Sequence, residues 1–334
     1  MDSGESATKL RHFGFPSIVQ ALTALALAWP LLATAFDLQG HRGARGLAPE
    51  NTLAAFDLAL RTGVSTLELD LGVTRDGVLV VSHDSRLNPN LTRDGDGRWL
   101  DAPGPALNSL TLAQLQRHDV GRLKPGTRYA QAHPDQQPVD GERVPTLDAL
   151  FALVARRGAD RVRFNIETKL SPHEADLAPA PDVFAALLVK ALLQHGLQQR
   201  ATVQSFDWRT LREVRRLAPA ITTVALTARQ DWLDNLSDGR WTAGLRLSEH
   251  GQSVPRLVQA VGASVWSPFH GDLTEAAVTE AHALGLKVVP WTVNDPGRMT
   301  QLITWKVDGL ITDRPDRARD AMTAAGLPLP PRLP

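Results

Sequence analysis

The 334-residue chain contains no cysteine, so disulfide bonds, thiolate zinc sites and cysteine nucleophiles are all excluded. It also lacks an excess of either charge, because 36 basic residues balance 36 acidic ones. Surfaces that bind nucleic acid or anionic membranes normally carry a basic excess, so we expect neither partner. With 43% hydrophobic residues, the chain can bury a sizeable core, and one barrel-type domain of about 250 residues would use most of it.

A long apolar run that could span a bilayer is also missing. The best candidate, an interrupted run over residues 18–32, falls short of the roughly 20 residues that a membrane helix needs. Lys9 and Arg11 precede this run, and the small residues 33–35 follow it. The pattern predicts a cleaved signal peptide over residues 1–35 and a periplasmic or secreted protein without stable membrane insertion. An uncleaved membrane anchor is the alternative.

From residue 36 onwards, short apolar runs alternate with helical patterns. Eight runs are apolar on both faces, as parallel strands covered by helices are, and they begin at residues 37, 66, 163, 202, 222, 264, 287 and 309. The first helix is predicted over 49–61 and the seventh strand over 287–293. Eight such units predict an α/β fold, a (β/α)8 TIM-type barrel over 36–326, with a doubly wound open sheet as the alternative.

Two segments break this rhythm. Residues 85–145 are rich in Asp, Gly, Pro and Arg, and we expect them to form an insertion after the second strand, without a core of its own. A short strand over 78–83 precedes this insertion, and one short helical piece lies within it at 110–116. Residues 327–334 form a Pro-rich C-terminal tail.

Polar residues collect where the predicted strands end, which is the face that carries the active site in such barrels. Glu68 and Asp70 are two apart on one strand, so both point to the interior, and Glu167 and Lys169 repeat this spacing. Carboxylates that share a buried face repel each other, and a hard divalent cation, Mg²⁺ or Ca²⁺, would resolve this. The alternative is an interior salt-bridge layer with Arg42 and Lys169, and spacing alone favours neither.

Two histidines, His41 and His83, end neighbouring strands. Cleavage of a phosphodiester needs one base for the nucleophile and one acid for the leaving alkoxide, and histidine suits both roles. Arg42 can grip a phosphate with two hydrogen bonds, in a loop whose glycines allow backbone to approach a ligand. A hydrogen-bonded structural role is the alternative for each histidine.

Three further residues near the strand ends are open to two interpretations. Trp291 can stack on a substrate or close its pocket, or it can be a core aromatic residue. We assign Phe206 to the core. Glu50 can form a hydrogen bond near the site, but we assign it a structural role in the first turn of a helix, where an acidic side chain is favourable.

The motifs that carry these residues, taken together, resemble the glycerophosphodiester phosphodiesterase family. The resemblance runs in order from residue 37 to residue 325 through seven motifs, namely His41-Arg42-Gly43 with Pro49-Glu50-Asn51-Thr52, Glu68-Leu69-Asp70, His83-Asp84, Ile166-Glu167-Thr168-Lys169, Gln204-Ser205-Phe206, Trp291-Thr292-Val293-Asn294 and Gly309-Leu310-Ile311-Thr312-Asp313. Each motif alone is weak, whereas the full set is specific.

The resemblance implies a TIM-type barrel with an insertion after the second strand, where residues 85–145 fall. It also implies roles for the site residues: an acid–base pair, His41 and His83; ligands of one divalent cation, Glu68, Asp70 and Glu167; and phosphate contacts, Arg42 and Lys169. The implied reaction is metal-dependent hydrolysis of glycerophosphodiesters, which are deacylated phospholipids, to glycerol 3-phosphate and an alcohol. Its place is in lipid and glycerol metabolism.

Two other functions stay open at this point. One is a phospholipase D-like enzyme that acts on intact lipids or lysolipids, which would require an exposed apolar rim that the mostly polar residues 85–145 do not offer. The other is a non-enzymatic barrel that binds phosphodiesters. Such a binder would tolerate loss of a histidine or a carboxylate, and this sequence retains all of them.

Overall fold

Strands and helices alternate along residues 35–334, which together with residues 1–4 are the part of the chain that the computed structural model describes. In chain order the strands are β1 (Asp37–Gly40), β2 (Thr66–Val73), β3 (Leu79–Val81), β4 (Arg163–Thr168), β5 (Ala201–Ser205), β6 (Thr222–Thr227), β7 (Arg229–Gln230), β8 (Leu233–Asp234), β9 (Val265–Pro268), β10 (Lys287–Val288) and β11 (Gly309–Thr312). The helices are α1 (Leu53–Thr62), α2 (Leu112–Leu115), α3 (Arg128–Ala132), α4 (Leu147–Arg156), α5 (Pro181–Gln194), α6 (Trp208–Leu217), α7 (Val254–Val261), α8 (Glu275–Ala283), α9 (Pro296–Thr304) and α10 (Pro315–Ala324).

The apolar run of the predicted signal peptide lies outside the described residues. Among residues 1–4 and 35–334, no helix has both the length and the apolar character that crossing a membrane requires.

Eight strands of residues 35–334 run parallel, in the hydrogen-bonded order β10-β9-β6-β5-β4-β2-β1-β11. Backbone bonds also join the two ends of this order: Asp308 N to Val288 O at 2.8 Å, Ile311 N to Pro290 O at 3.0 Å and Val293 N to Ile311 O at 2.9 Å. A doubly wound sheet would leave these two edges far apart. The predicted (β/α)8 barrel is therefore confirmed.

The seventh barrel strand is much shorter than predicted, with regular pairing only over Lys287–Val288. The reason is Pro290, which has no N–H to donate to a neighbouring strand. The chain nevertheless stays alongside the barrel, because Val289 N donates to Trp266 O and Trp291 N donates to Pro268 O, both at 3.0 Å.

Helix α1 begins four residues later than predicted. Thr52 caps it, since its side-chain oxygen accepts a hydrogen bond from Ala55 N at 3.2 Å. Gly63 ends it in the left-handed conformation. Residues 49–51 therefore belong to the loop that follows β1, and Glu50 is not in the first turn of a helix.

The barrel interior differs from one side to the other. On the side of β1, β2, β4 and β5 it holds a polar network, in which Asn165 donates to Gln39 and to Gln204, and Gln204 donates to Glu68, at 2.7–2.8 Å. On the opposite side it holds an apolar cluster, formed by Val224, Val265, Val289 and Ile311. The β2 residues Leu67, Leu69 and Leu71, which alternate with Glu68 and Asp70, are fully buried in the main core.

The insertion after the second barrel strand begins behind β3, which pairs antiparallel with β2. Contrary to expectation, it has a small hydrophobic cluster of its own, made of Val80, Leu87, Leu107, Leu115 and Val144. It still belongs to one compact unit, residues 35–334. The tail lies against the end of α1, where Leu333 N donates to Leu60 O at 3.2 Å.

Candidate active site

The loop after β1 is folded tightly against α1, and two glycines make this possible. A Cβ atom on Gly40 would lie 2.2 Å from the carbonyl oxygen of Gly43, and one on Gly43 would lie 2.6 Å from backbone carbon of Ala55. Arg42 between them takes a left-handed backbone conformation with φ of 50°, which is uncommon for a residue with a side chain. In this conformation its backbone N–H donates to Glu68 Oε2 at 2.9 Å.

Three carboxylates converge beneath this loop. The parallel register pairs Asp70 with Glu167, and one oxygen from each of Glu68, Asp70 and Glu167 lies within 4.8 Å of the others. All three side chains are buried. Burial and the charge of Asp70 raise the pKa of Glu68 well above its ordinary value, and burial raises the pKa of Glu167 to about 7. Both shifts indicate a site that requires more positive charge than the protein supplies.

Two cations, Arg42 and Lys169, partly meet this requirement. Arg42 Nε lies 3.2 Å from Asp70 Oδ2, and Lys169 Nζ lies 2.8 Å from Glu167 Oε1 and 3.8 Å from Asp70 Oδ1. Burial favours the neutral form of Asp70, but the guanidinium of Arg42 outweighs it and holds the pKa of that carboxyl far below its usual range. The salt-bridge layer considered as an alternative is therefore present.

The salt-bridge layer does not satisfy the carboxylates, however. Asp70 Oδ1 has no hydrogen-bond partner among the described residues. Among the described residues, two cations, Arg42 and Lys169, form ion pairs within this group of four carboxylates, Glu50 and the three converging ones, whereas the nearby Arg45 is paired with Asp313. With all four carboxylates ionised, two negative charges are therefore left over. This surplus is equal and opposite to the charge of a divalent cation. The oxygen-only ligand set fits a hard ion such as Mg²⁺ or Ca²⁺.

His41 is held from behind by Asp313. Its Nδ1 lies 2.6 Å from Asp313 Oδ1, so the proton sits on Nδ1, and Nε2, at 3.9 Å from Glu68 Oε2, has a free lone pair. Asp313 is fixed in turn by Arg45, whose Nε and Nη2 donate to it at 2.9 and 3.0 Å, and by Asn294 at 2.7 Å. Burial lowers the pKa of His41 to about 4, so the ring is neutral at physiological pH.

His83 has a comparable partner but a more open setting. Its Nδ1 lies 2.7 Å from Asp84 Oδ1, and Asn88 donates to the other oxygen of that carboxylate at 2.6 Å. The side chain is 31% exposed, against 10% for His41. Burial, followed by the charge of Arg42, lowers the pKa of His83. The two histidines thus share a carboxylate partner and differ in their access to solvent.

A cavity of about 770 Å³ opens above these groups. Five of the eight predicted site residues line it: Arg42, His83, Glu167, Lys169 and Trp291. The other three, His41, Glu68 and Asp70, are buried and contact one another or the lining residues. The structure therefore brings all eight predicted residues to one place.

Several residues at this site were not predicted to belong to it. Glu50 Oε1 accepts a hydrogen bond from Arg42 Nη1 at 2.7 Å, and its other oxygen accepts one from the hydroxyl of Tyr129 on α3. Asn51 donates to Asp70 Oδ2 at 2.9 Å. The insertion thus reaches the site through Tyr129. The Pro-Glu-Asn-Thr motif pointed to residues 50 and 51, but no sequence signal marked Tyr129.

Of the two aromatic residues considered from the sequence, Phe206 lies in a different place from the one predicted and Trp291 lies on the cavity wall. Phe206 is half-buried and lines the cavity, so its assignment to the core is wrong. Trp291 is also half-buried on the cavity wall, and its indole N–H donates to Ser267 O at 3.0 Å. Only its ring is therefore available to a ligand.

Known proteins share both the sequence and the fold. The model of the glycerophosphoryl diester phosphodiesterase family matches residues 41–317. A glycerophosphodiester phosphodiesterase of Caldanaerobacter subterraneus is 29% identical over 276 residues, which cover 83% of this chain and 93% of that protein.

Two solved structures extend this comparison. A Silicibacter pomeroyi protein assigned as a glycerophosphoryl diester phosphodiesterase has a TM-score of 0.79 at 35% identity, covering 88% of this chain and 95% of its own. A phosphodiesterase of Oleispira antarctica, solved with the product sn-glycerol-3-phosphate, has a TM-score of 0.63 at 22% identity. It covers 86% of this chain and 97% of that one, and this second similarity concerns the fold.

Proposed function

The chain belongs to the glycerophosphoryl diester phosphodiesterase family, and we propose that it hydrolyses glycerophosphodiesters with a divalent cation and a histidine acid–base pair. Membership of the family makes it a phosphodiesterase of glycerophosphodiesters. The metal requirement and the roles of individual residues are our inference. The observation that carries the proposal is the convergence of three buried carboxylates with Arg42 and Lys169 under a cavity that His83 lines.

Glu68, Asp70 and Glu167 would hold the cation. When bound, a Mg²⁺ or Ca²⁺ ion supplies charge that neutralises phosphate oxygens, and these become more negative as the diester reacts. Two features of the chain support this assignment: the unpartnered Asp70 Oδ1 and the surplus of two negative charges.

Arg42 and Lys169 would bind the phosphate of the substrate. Each keeps its head group at the cavity while a carboxylate holds it in place, Glu50 for Arg42 and Glu167 for Lys169. A guanidinium held in this way offers its remaining N–H groups to phosphate oxygens without losing further side-chain entropy.

The two histidines would move the protons. His41 Nε2 takes the proton from the nucleophile, which is water or the neighbouring glycerol hydroxyl, while a new P–O bond forms. The bond to the leaving alcohol breaks, and His83 Nε2 protonates the leaving oxygen. Attack by water yields glycerol 3-phosphate directly. Attack by the glycerol hydroxyl yields a cyclic phosphodiester, which water opens to glycerol 3-phosphate in a second step with the proton roles of the two histidines exchanged. We assign the base role to His41 because Asp313 fixes its proton on Nδ1 and leaves Nε2 free. We assign the acid role to His83 because it lies on the cavity wall with Asp84 to stabilise its cationic form.

We also propose that the enzyme acts in the periplasm or outside the cell, after removal of residues 1–35. The support is the sequence pattern of the leader, and the mass of the mature protein recovered from cells would test it. A mass that includes residues 1–35 would favour the uncleaved anchor.

The function is tested with purified mature protein and a panel of glycerophosphodiesters under defined metal. We expect release of glycerol 3-phosphate, loss of activity in excess chelator and recovery when Ca²⁺ or Mg²⁺ is added back. Full activity in excess chelator would contradict the cation site. Failure to hydrolyse any diester in the presence of metal would contradict the proposed reaction.

A further inference from the structure

One wall of the cavity is aromatic, and its rings pack edge to face. The ring centroids of Phe206 and Trp291 are 5.3 Å apart at 84°, and those of Trp232 and Trp291 are 6.0 Å apart at 81°. Phe269 supports the wall from the side, at 5.4 Å from Trp232. Rings at these distances fill the gaps between one another. They therefore form a continuous apolar wall and leave no space between them.

Apolar side chains also lie among the polar ones on the other sides of the cavity. Leu170 and Leu177, from the segment between β4 and α5, line it together with Leu87 of the insertion. Trp241, from the segment after β8, lines it as well and packs on His173 with the ring centroids 5.8 Å apart. Together with the aromatic wall, these side chains enclose a slot. We call it the aromatic slot.

The rim of the aromatic slot is held rigidly although it is exposed. Trp232 lies between β7 and β8 with 59% of its surface exposed. The base of this hairpin is fixed by the fully buried Asn235, which accepts from Ala228 N at 3.0 Å and donates to Phe206 O at 3.1 Å. Asp272 holds its other side by accepting from Arg229 N at 2.8 Å. An exposed indole that is continuous with a buried aromatic wall marks a binding surface.

The aromatic slot begins where the phosphate-binding groups end. Lys169 Nζ lies 5.9 Å from the ring centroid of Phe206, and the same amine contacts Glu167 at 2.8 Å. A group esterified to a phosphate held by Lys169 would therefore enter the slot directly. Resting on the proposed function, we infer that the aromatic slot binds a bulky apolar alcohol of the phosphodiester, a hydrocarbon chain or ring rather than a small polar head group.

A quaternary ammonium group would suit this slot less well. Burying a cation costs free energy unless an opposite charge pairs with it. The charged side chains that line the cavity near the slot also include both signs, with Arg86 as well as Glu174. No surplus of negative charge marks a place for a cation there.

The test uses a series of sn-glycerol 3-phosphate diesters with ethanol, butanol and octanol, each kept below its micelle concentration. We expect kcat/KM to rise roughly two- to fourfold for each added methylene that the slot covers. Hydrolysis of all three diesters at the same rate would contradict binding of an apolar alcohol in the slot and leave the proposed function intact. Hydrolysis of the choline diester but of none of these three would also overturn the slot, whereas hydrolysis of none of the four would overturn the proposed function itself.

Two variants test whether the gain in kcat/KM with chain length arises in the aromatic slot. Trp232→Ala and Trp241→Ala should each reduce the gain from ethyl to octyl diester severalfold. Trp305→Ala is the matched control, because Trp305 does not line the cavity. It packs on Arg298, with 4.7 Å from the guanidinium carbon to the ring centroid. This variant should keep the full gain in kcat/KM. An unchanged gain in both slot variants would overturn the inference.

A second pair of substrates separates an apolar ligand from a cationic one. Choline and its neutral isostere 3,3-dimethylbutanol have the same shape, so their glycerophosphodiesters differ only in charge. Equal or faster hydrolysis of the neutral diester supports the apolar slot. A preference of tenfold or more for the choline diester would overturn it in favour of a cation site.

Discussion

The two halves of the barrel differ in what their strands carry to the cavity. The first half, β1 to β4, brings charged groups: Arg42, Glu68, Asp70, His83, Glu167 and Lys169. From β5 onwards the strands are followed by aromatic residues, Phe206, Trp232, Trp241 and Trp291, and the interior beside β6, β9, β10 and β11 is apolar. The phosphate is common to all substrates of this class, whereas the alcohol varies. In the proposed roles, the charged residues of the first half therefore carry out the reaction, and the aromatic residues of the second half select the alcohol.

Among the contacts that cross this division, one reaches the side chain of a histidine of the site. Asp313, at the end of the last barrel strand, orients His41 on the first. Because the barrel is closed, the end of the second half lies next to the beginning of the first. The half with the charged groups thus depends on one carboxylate from the other half. Variants of Asp313 therefore test whether the two halves act independently.

The largest effect is expected for Asp70→Asn, which keeps the shape of the side chain and removes one charge from the carboxylate cluster. Loss of cation binding should lower kcat/KM by about 10⁴-fold, since such an ion supplies several kcal/mol to the reaction. Calorimetric titration with Mg²⁺ and Ca²⁺, alongside kinetics, measures both quantities. Asp148→Asn on the exposed surface of α4 is the control. Metal binding and turnover like those of the unaltered protein would contradict the ligand assignment.

The next effect in size concerns the two histidines. His83→Ala should lower kcat by about 10³-fold and leave metal binding unchanged, because a general acid is lost and no ligand is. A p-nitrophenyl diester, whose leaving group needs no proton, should restore much of the rate of His83→Ala and little of that of His41→Ala. Rescue of His41→Ala alone would reverse the two roles. Near-normal turnover of His83→Ala on ordinary diesters would remove it from the mechanism.

A smaller loss is expected for Asp313→Asn, which tests the contact between the halves. His41 keeps its place but loses the carboxylate that fixes its Nδ1 proton, so kcat should fall about 10²-fold with little change in KM. Asp313→Glu should recover part of the rate. If both variants raised KM and left kcat unchanged, Asp313 would act on substrate binding and not on His41.

The smallest effect is expected for Tyr129→Phe, which removes one hydrogen bond from the Glu50–Arg42 pair. A hydrogen bond of this kind contributes about 1 kcal/mol, so KM should rise roughly fivefold while kcat changes less. Steady-state kinetics on a short-chain diester measure this split. A fall in kcat without a rise in KM would show that Tyr129 acts on the chemical step.

The carboxylate cluster was predictable because its geometry is local. The spacing of Glu68 and Asp70 places both on one face of a strand whatever the rest of the chain does. Parallel pairing of neighbouring strands then brings Glu167 beside Asp70. Eight strand patterns predicted the barrel in the same way. Pro290 shortened one strand without opening the sheet.

The residues that escaped prediction depend on contacts between distant segments. Glu50 was placed in a helix because a Pro-Glu pair commonly starts one, but the cap formed by Thr52 leaves it in the loop, facing Arg42. Tyr129 lies on the five-residue helix α3 and Trp232 in the turn between β7 and β8, and both elements are too short for a sequence periodicity to indicate the direction of a side chain. Phe206 follows a buried strand, and the sequence offers nothing to distinguish a ring on the cavity wall from one in the core.

The pairing of the first and last barrel strands has a consequence for biosynthesis. Asp313 is added 272 residues after His41, so at about 5–20 residues per second the ribosome needs roughly 15–50 s between them. During that interval His41 lacks its partner, and β1 lacks the neighbour that completes the sheet. With His41 in its proposed role, a nascent chain has no organised proton acceptor before the final strand is made. Closure of the barrel would then delay the onset of hydrolysis until synthesis has passed that strand.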